Sequence, residues 1–350
     1  MKTPLLDTQV RWLARTFSAV PLIALFTFVA APLSGQNADD VPDFSMSEAF
    51  LKDLAKQDSI NFKIKLRLEH RTSKVHTIGK DCEIHVAAKP LTGQLFPSGA
   101  VVEPPNLCKE WPAGTPQTSE ADLRNKVWPE LFDRTVMGKE CEVTGFPRLF
   151  TEHAAGNANP ANPNHFFEVH PALAIKPTSG EEGLDFQAFL KFHQGLPSIK
   201  PATAASCMGE RKLFVRRDKG KYFFREDGGR CGNFISVHAT IPQEWIKKIK
   251  GGHSAIARVT PPEEGTYSLK IYTMEGTPGD DLLESLKTKE VERRIYLHGL
   301  LTYDYFAIVR AARSQNGTWL KIPKWKRVNF PLALVVFGEV TGLSDPEEDE

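Results

Sequence analysis

Imidazoles and carboxylates on strand-like segments carry the chemistry legible in this sequence. Cys141 to Ile175 reads CEVTGFPRLFTEH, then a Pro/Asn-rich loop, then HFFEVHPALAI, and sets Glu152, His153, His165, Glu168 and His170 around two short strand patterns. The earlier segment DCEIHVAA adds Asp81 and His85, and Glu103 ends the pattern AVVEP. Two or three imidazoles with one or two carboxylates suit zinc or another divalent metal, the only cofactor the sequence suggests. The same groups could do acid–base work, because histidine titrates near neutral pH. The competing reading is structural: His and Glu at strand ends hydrogen-bond loop backbone, here the 154–165 loop. Parity places Glu168 and His170 on one face of their strand, and His85 opposite Ile84 and Val86. The expectation is that His85, Glu103, Glu168 and His170 converge, with Asp81, Glu152 and His153 completing the candidate binding or metal cluster.

The elements that would position these groups are mostly short strands. Ile60, Phe62, Ile64, Leu66 and Leu68 alternate with polar residues, the period of a half-buried strand. CEIHVAA (82–88) and AVVEP (100–104) follow as a second and third strand, and Pro104 with Pro105 ends the third. A helix is expected from near Ser119, carrying Leu123, Val127, Leu131 and Phe132. CEVTGF and HFFEVHPALAI are the fourth and fifth strands, the latter with a proline, Pro171, that implies an edge or a bulge. Three strands, a helix and two strands is the order of the oligonucleotide/oligosaccharide-binding (OB) fold, a five-stranded Greek-key barrel. A generic β-sandwich is the alternative.

A second half repeats the order loosely. It runs through a hairpin over 212–226, NFISVHATI, SAIARVT, YSLKIYTM, a helix from Asp280 or Asp281 to Lys289, then RRIYLHGLL and YFAIVRAA read as strands, and later FPLALVVFGEV. The predicted fold class is therefore mainly β with a few helices: an OB-like barrel over 45–176, a hydrophilic linker over 177–206 with one short helical pattern (FQAFLKF), and a second β-rich, OB-like domain over 207–343. Asn37 to Phe44 reads as a flexible lead-in to a helix capped by Ser45 and Glu48. Residues 344–350 read as an acidic tail.

Composition narrows the function classes. The chain has 350 residues and a formal net charge of +1, so no global field pulls it toward nucleic acid or anionic membrane. Lys2, Arg11 and Arg15 precede a mostly apolar run, Phe17 to Ala31, with small residues at Ala30, Ala31, Ser34 and Gly35. That pattern predicts a signal peptide over 1–35, with an uncleaved anchor as the alternative, and a secreted or periplasmic mature protein. No later segment reaches the length of a membrane span. In an oxidising compartment the five cysteines are disulfide candidates. Cys207 and Cys231 flank the hairpin and could close its open end. Cys82 and Cys108 bracket paired strands, with Cys108–Cys141 as the competing pair.

The runs Asp81 to Val86, Val101 to Cys108, Gly145 to His153 and Phe167 to Pro171 also resemble, in that order, a group of exported bacterial proteins. Those carry D-x-D-x-H-L, E-I-P-x-P-x-C and G-x-x-F-x-D-x-x-H…E-L-H-P motifs, and the resemblance covers roughly 62–176. It implies an OB-like barrel and export rather than an activity. Asp81, His85, Glu103, Cys108, His153, Glu168 and His170 occupy motif positions. Glu83 stands at a motif aspartate, and Phe150 replaces another.

Basic residues interleave with aromatics in two places: Lys212, Arg216, Arg217, Lys219, Lys221 and Arg225 with Phe214, Tyr222, Phe223 and Phe224, and Lys321, Lys324, Lys326 and Arg327 with Trp319 and Trp325. Such a pattern suits single-stranded nucleic acid or anionic glycans, or simply a solvated hairpin face. Walker, G-x-S-x-G, H-E-x-x-H and dinucleotide motifs are absent. The sequence thus predicts an exported, non-catalytic binding or envelope-associated protein. The alternatives are a hydrolase using the His/Glu cluster, metal-dependent or not, and a polyanion-binding module.

Overall fold

In the computed structural model, described for residues 43–56, 59–76, 81–91, 99–151, 153, 158–195, 201–228, 231–259, 267–288 and 294–340, the chain forms two closed five-stranded barrels and a four-stranded sheet. All of these residues lie in the compact unit Pro42–Glu350. The predicted signal segment, the acidic tail and Glu152 lie outside the described residues.

The chain enters through β1 (Phe44–Ser47) and α1 (Glu48–Lys56). Here the expectation of a cap at Ser45 is corrected; of the predicted lead-in only Asp43 and Phe44 lie among the described residues, and Phe44 already belongs to the strand. Phe44 and Met46 alternate with Ser45 and Ser47, so the segment buries one face as a strand. The helix starts two residues later than expected, where Ser47 Oγ accepts from Phe50 N at 3.0 Å.

The first barrel comprises β2 (Phe62–Arg71), β3 (Val86–Pro90), β4 (Ala100–Val102), β5 (Glu140–Leu149) and β6 (Phe167–Pro177). Between β4 and β5 run α2 (Glu120–Asp122), a π-helical turn (Leu123–Val127) and α3 (Trp128–Thr135). Ser119 caps this run as expected, accepting from Asp122 N at 3.1 Å. β2 pairs with β3 and β5, β3 with β4, β5 with β6, and β4 with β6 in parallel, which closes the barrel in the OB order. Phe62, Ile64, Leu66 and Leu68 point inward, each worth roughly 1.5–3 kcal/mol of burial. The bulge expected at Pro171 is present: the β5–β6 register shifts between Gly145 and Pro147, opposite Pro171. Gly145 is required there, because a Cβ would lie 2.5 Å from the Pro171 carbonyl oxygen.

Residues 177–206, expected as a hydrophilic linker, are largely folded. They hold β7 (Leu184–Asp185), paired with β6, a 3-10 helix (Gln187–Gly195) and the start of α4 (Pro201–Glu210). The apolar residues of FQAFLKF decide this. Phe186, Phe189 and Leu190 are buried, and the two rings pack on Trp128.

The hairpin β8 (Lys212–Asp218) and β9 (Lys221–Asp227) forms as predicted, and Cys207–Cys231 closes its open end with Cα atoms 5.6 Å apart. β9 also pairs with β1 from the far end of the chain. The second barrel comprises β10 (Phe234–Thr240), a short β11 (Lys247–Ile249) at its edge, β12 (Gly252–Val259), β13 (Tyr267–Met274), α5 (Pro278–Lys287), β14 (Arg294–Tyr303) and, after α6 (Tyr305–Ala312) and β15 (Lys326–Arg327), β16 (Leu332–Glu339). Its pairings repeat those of the first barrel, including the parallel pair β13–β16. β15 joins β8, completing the four-stranded sheet β1-β9-β8-β15.

Two expectations fail in this half. α5 is capped by Thr277, which accepts from Asp280 N, rather than by Asp280 or Asp281. YFAIVRAA is a helix, not a strand. Asp304 caps it, accepting from Phe306 N at 3.0 Å, and Tyr305, Ile308, Val309 and Ala312 form one buried helical stripe. The fifth strand is instead FPLALVVFGEV. One continuous apolar core runs through both barrels.

Candidate metal centre

The site sits at one end of the first barrel and is built by three backbone devices. The first is a short antiparallel approach: His76 N donates to Glu83 O at 2.9 Å and Thr72 N to His85 O at 3.0 Å. It lays His76 across from a segment in which Asp81, Glu83 and His85 alternate, so these three share a side. The second is the disulfide Cys82–Cys108, with Cα atoms 5.4 Å apart. Asn106 N to Asp81 O and Leu107 N to Cys82 O, at 3.1 and 2.8 Å, extend that clamp, with Cys82 and Asn106 both at positive φ. This resolves the pairing left open by the sequence, and Cys141 remains a buried thiol pushed up to about 11 by burial. The third is parallel pairing beyond the end of β4. Glu103 N donates to Val169 O and Ala172 N to Glu103 O, which sets Glu103 directly beside His170.

The predicted convergence is observed. His85 Nε2 lies 3.6 Å from Glu103 Oε1, His170 Nδ1 lies 2.7 Å from Glu103 Oε2, and His170 Nδ1 lies 3.5 Å from Glu168 Oε2. Asp81 lies 3.3 Å from His76 Nδ1. The His153 ring stands 6.1 Å from that of His85 and stacks on His165 at 5.2 Å.

Three residues central to the site were not among the predicted set. His76 Nε2 approaches His85 Nε2 to 2.6 Å. Glu83 reaches both histidine layers, 4.0 Å from His85 Nε2 and 3.0 Å from His170 Nε2. Arg148, fully buried, binds Glu168 at 2.6 Å, Leu301 O of β14 at 3.0 Å, and Asn233. His165 also reaches Glu168, at 3.1 Å. The alternation Asp81, Glu83, His85 was a readable signal for Glu83. His76 and Arg148 carried none, because a loop and a partner on the other barrel bring them in.

The electrostatics separate the three buried carboxylates. Burial alone would raise Glu168, but the Arg148 guanidinium and His165 overcome it and hold the carboxyl well below its ordinary range. Burial also opposes ionisation of Glu103, yet His85 and His170 hold it down at about 2. Glu83 has less help: burial raises it to about 7, only partly offset by His170. His85 is lowered, chiefly by burial, so its lone pair stays available at neutral pH. Several short approaches are also misdirected for hydrogen bonding. Both ring nitrogens of His170, Glu83 Oε1 and Glu103 Oε1 are buried without a well-aligned partner. Buried polar atoms left this way cost free energy. They meet the requirement of a group that needs closeness rather than linear N–H donors.

His76, Glu83 and His85 each offer a ligand atom within 4.8 Å of the others, as do Glu83, Glu103 and His170. In the first set Asp81 Oδ1 lies 3.3 Å from Nδ1 of His76, which places a carboxylate behind that ring, as in the carboxylate–histidine arrangements that support metal ligands. No protein-family model matches the chain, and no curated protein matches its sequence.

Proposed function

We propose that this is an exported metal-binding protein whose first barrel holds one divalent first-row transition ion. His76 Nε2, His85 Nε2 and a Glu83 oxygen are the ligands, and Glu103 Oε1 is the fourth donor. His170, between Glu83 and Glu103, orients both carboxylates from behind, and Asp81 orients His76. Two histidines with carboxylate oxygens suit zinc, manganese or iron. The observation that carries the reading is the convergence of His76, Glu83 and His85, whose ligand atoms all lie within 4.8 Å of one another, with Glu103 buried beside them. Export is supported by the basic start with its apolar run, and by two disulfides. The test is elemental analysis and calorimetric titration of purified protein with Zn²⁺ and Mn²⁺, with mass spectrometry of the mature N-terminus for export. One ion per chain is expected, held at least about tenfold more weakly in His85→Ala.

A second reading is metal-assisted hydrolysis. It is favoured by one feature: His76 and His85 keep 17% and 12% side-chain exposure, so the ligand side opens toward solvent. In that reading Glu83, raised by burial, leaves the ligand set and serves as general base, with His76, His85 and Glu103 holding the ion. Chelator-sensitive turnover of ester and phosphoester substrates would establish it, and metal binding without turnover would leave the binding role alone.

A further inference from the structure

The four-stranded sheet β1-β9-β8-β15 has one face on the core and one face outward. Leu213, Val215, Tyr222 and Phe224 are buried, while Phe214, Arg216, Phe223 and Arg225 alternate on the other side. Cross-strand register sets Arg216 opposite Phe223 and Phe214 opposite Arg225, a diagonal ladder of two arginines and two rings. Trp325 covers it from a remote segment. Arg216 lies 5.5 Å from the Phe223 ring and 4.9 Å from that of Trp325, and Arg225 lies 5.0 Å from Phe214 and 5.4 Å from Trp325. The guanidinium planes are thus pre-ordered by stacking on both sides, at a low entropic cost for any oxyanion they receive.

The surrounding charge is strongly one-sided. Segments 212–228 and 321–327 hold ten Lys and Arg against three Asp and Glu, in a chain whose formal net charge is +1. At least four of these charges are engaged internally, since Arg217 pairs with Glu48, Glu226 with Arg211, and Arg225 with Asp227 at 3.6 Å. Lys212, Lys221, Lys326 and Arg327 are exposed. Arg327, opposite Phe214 on the ladder, also lines a cleft of about 500 Å³ with Tyr267, Leu269 and Phe330. The Phe330 side chain stands out at 72% exposure.

We infer that this face binds an anionic polysaccharide, with sulfate or carboxylate groups received by Arg216, Arg225 and Arg327 and a sugar ring set against Phe330. The choice over single-stranded nucleic acid follows from the ladder. Nucleic-acid platforms offer free aromatic faces to successive bases, and here Phe214, Phe223 and Trp325 already carry arginines. What remains is recognition of oxyanions. The surface is independent of the metal centre, so either reading can fail alone.

The full-length mature protein is titrated with dextran sulfate, neutral dextran, an oligo-dT strand and anionic phospholipid vesicles at 0.1 M salt. Dextran sulfate is expected to bind with an affinity that falls steeply as salt rises, and neutral dextran not at all. The double variant Lys221→Glu/Lys326→Glu changes two exposed side chains and should weaken binding about tenfold or more. The same reversal at Lys63 and Lys89, on the first barrel, should leave it unchanged. Arg225→Lys, which keeps the charge and removes the planar fork, should weaken it less than the double reversal. No binding of dextran sulfate, equal loss in both double variants, or tighter binding of oligo-dT or vesicles would overturn the inference.

Discussion

Replacing Arg148 by methionine keeps most of the aliphatic volume and removes one buried cation. In the native protein that cation meets Glu168 at 2.6 Å and the Leu301 carbonyl at 3.0 Å, and its guanidinium lies 4.4 Å from the Phe150 ring. Removing one partner of such a pair costs about 3–5 kcal/mol, most of it the charge left behind. His165 and His170 remain beside Glu168, at 3.1 and 3.5 Å, so the lower end, about 3 kcal/mol, is expected. For a unit of this size that lowers Tm by about 6 °C. Glu168→Gln should cost a similar amount by stranding Arg148. The double variant should cost less than the sum, with a coupling of about 1.5–3 kcal/mol. Urea unfolding of metal-free protein at pH 7 measures all three. The pH dependence has a definite sign. Glu168 is held below its ordinary value of 4.5, so the pair's contribution is complete above that pH and is lost only as pH falls further. A cost for Arg148→Met below about 1 kcal/mol, or strict additivity in the double variant, would refute the view that Arg148 and Glu168 act as a coupled buried pair.

Other perturbations separate the parts of the fold. Gly145→Ala places a methyl 2.5 Å from the Pro171 carbonyl oxygen, so thermal unfolding should show a loss above about 2 kcal/mol, together with weaker metal binding from the displaced neighbour His170. Cys82→Ser/Cys108→Ser opens a loop with a sequence separation of 26, worth about 3.5 kcal/mol on the entropic model, and should weaken Zn²⁺ binding because Glu83 follows Cys82 directly. Asp304 is raised by burial, against the pull of Arg310 and the Tyr272 hydroxyl. Asp304→Asn, which can still cap α6, should therefore change stability by less than about 1 kcal/mol, and Asp304→Ala should lose about 1–3 kcal/mol in denaturant melts. Zinc uptake should release protons and weaken as pH falls, because imidazole ligands must be neutral, as titration in buffers of different ionisation enthalpy would show.

The barrel order was legible because its signals are local. β2 alternates cleanly, Pro171 announces the bulge, and Ser119 announces the helix. The convergence of His85, Glu103, Glu168 and His170 was legible because the OB order itself sets the third strand between the second and fifth. What escaped was decided by tertiary partners. β1 reads as a helix start until β9 supplies its pairing, and the short 3-10 helix of the supposed linker exists because Phe186 and Phe189 find Trp128. YFAIVRAA has a strand-like composition, and its helical stripe outweighs the β-branched residues once Asp304 caps it. Arg148 carried no signal, because its acceptors at Asn233 and Leu301 are remote in sequence.

The central claim is that His76, Glu83 and His85 hold one divalent ion. It is tested most directly by isothermal titration of chelator-treated protein with Zn²⁺, alongside His76→Ala, Glu83→Gln and His85→Ala, each checked for folding by circular dichroism. The account predicts one ion per native chain and at least about a tenfold weaker affinity in each folded variant. A folded native protein that takes up no zinc or manganese, or full-affinity binding in His85→Ala, would contradict it.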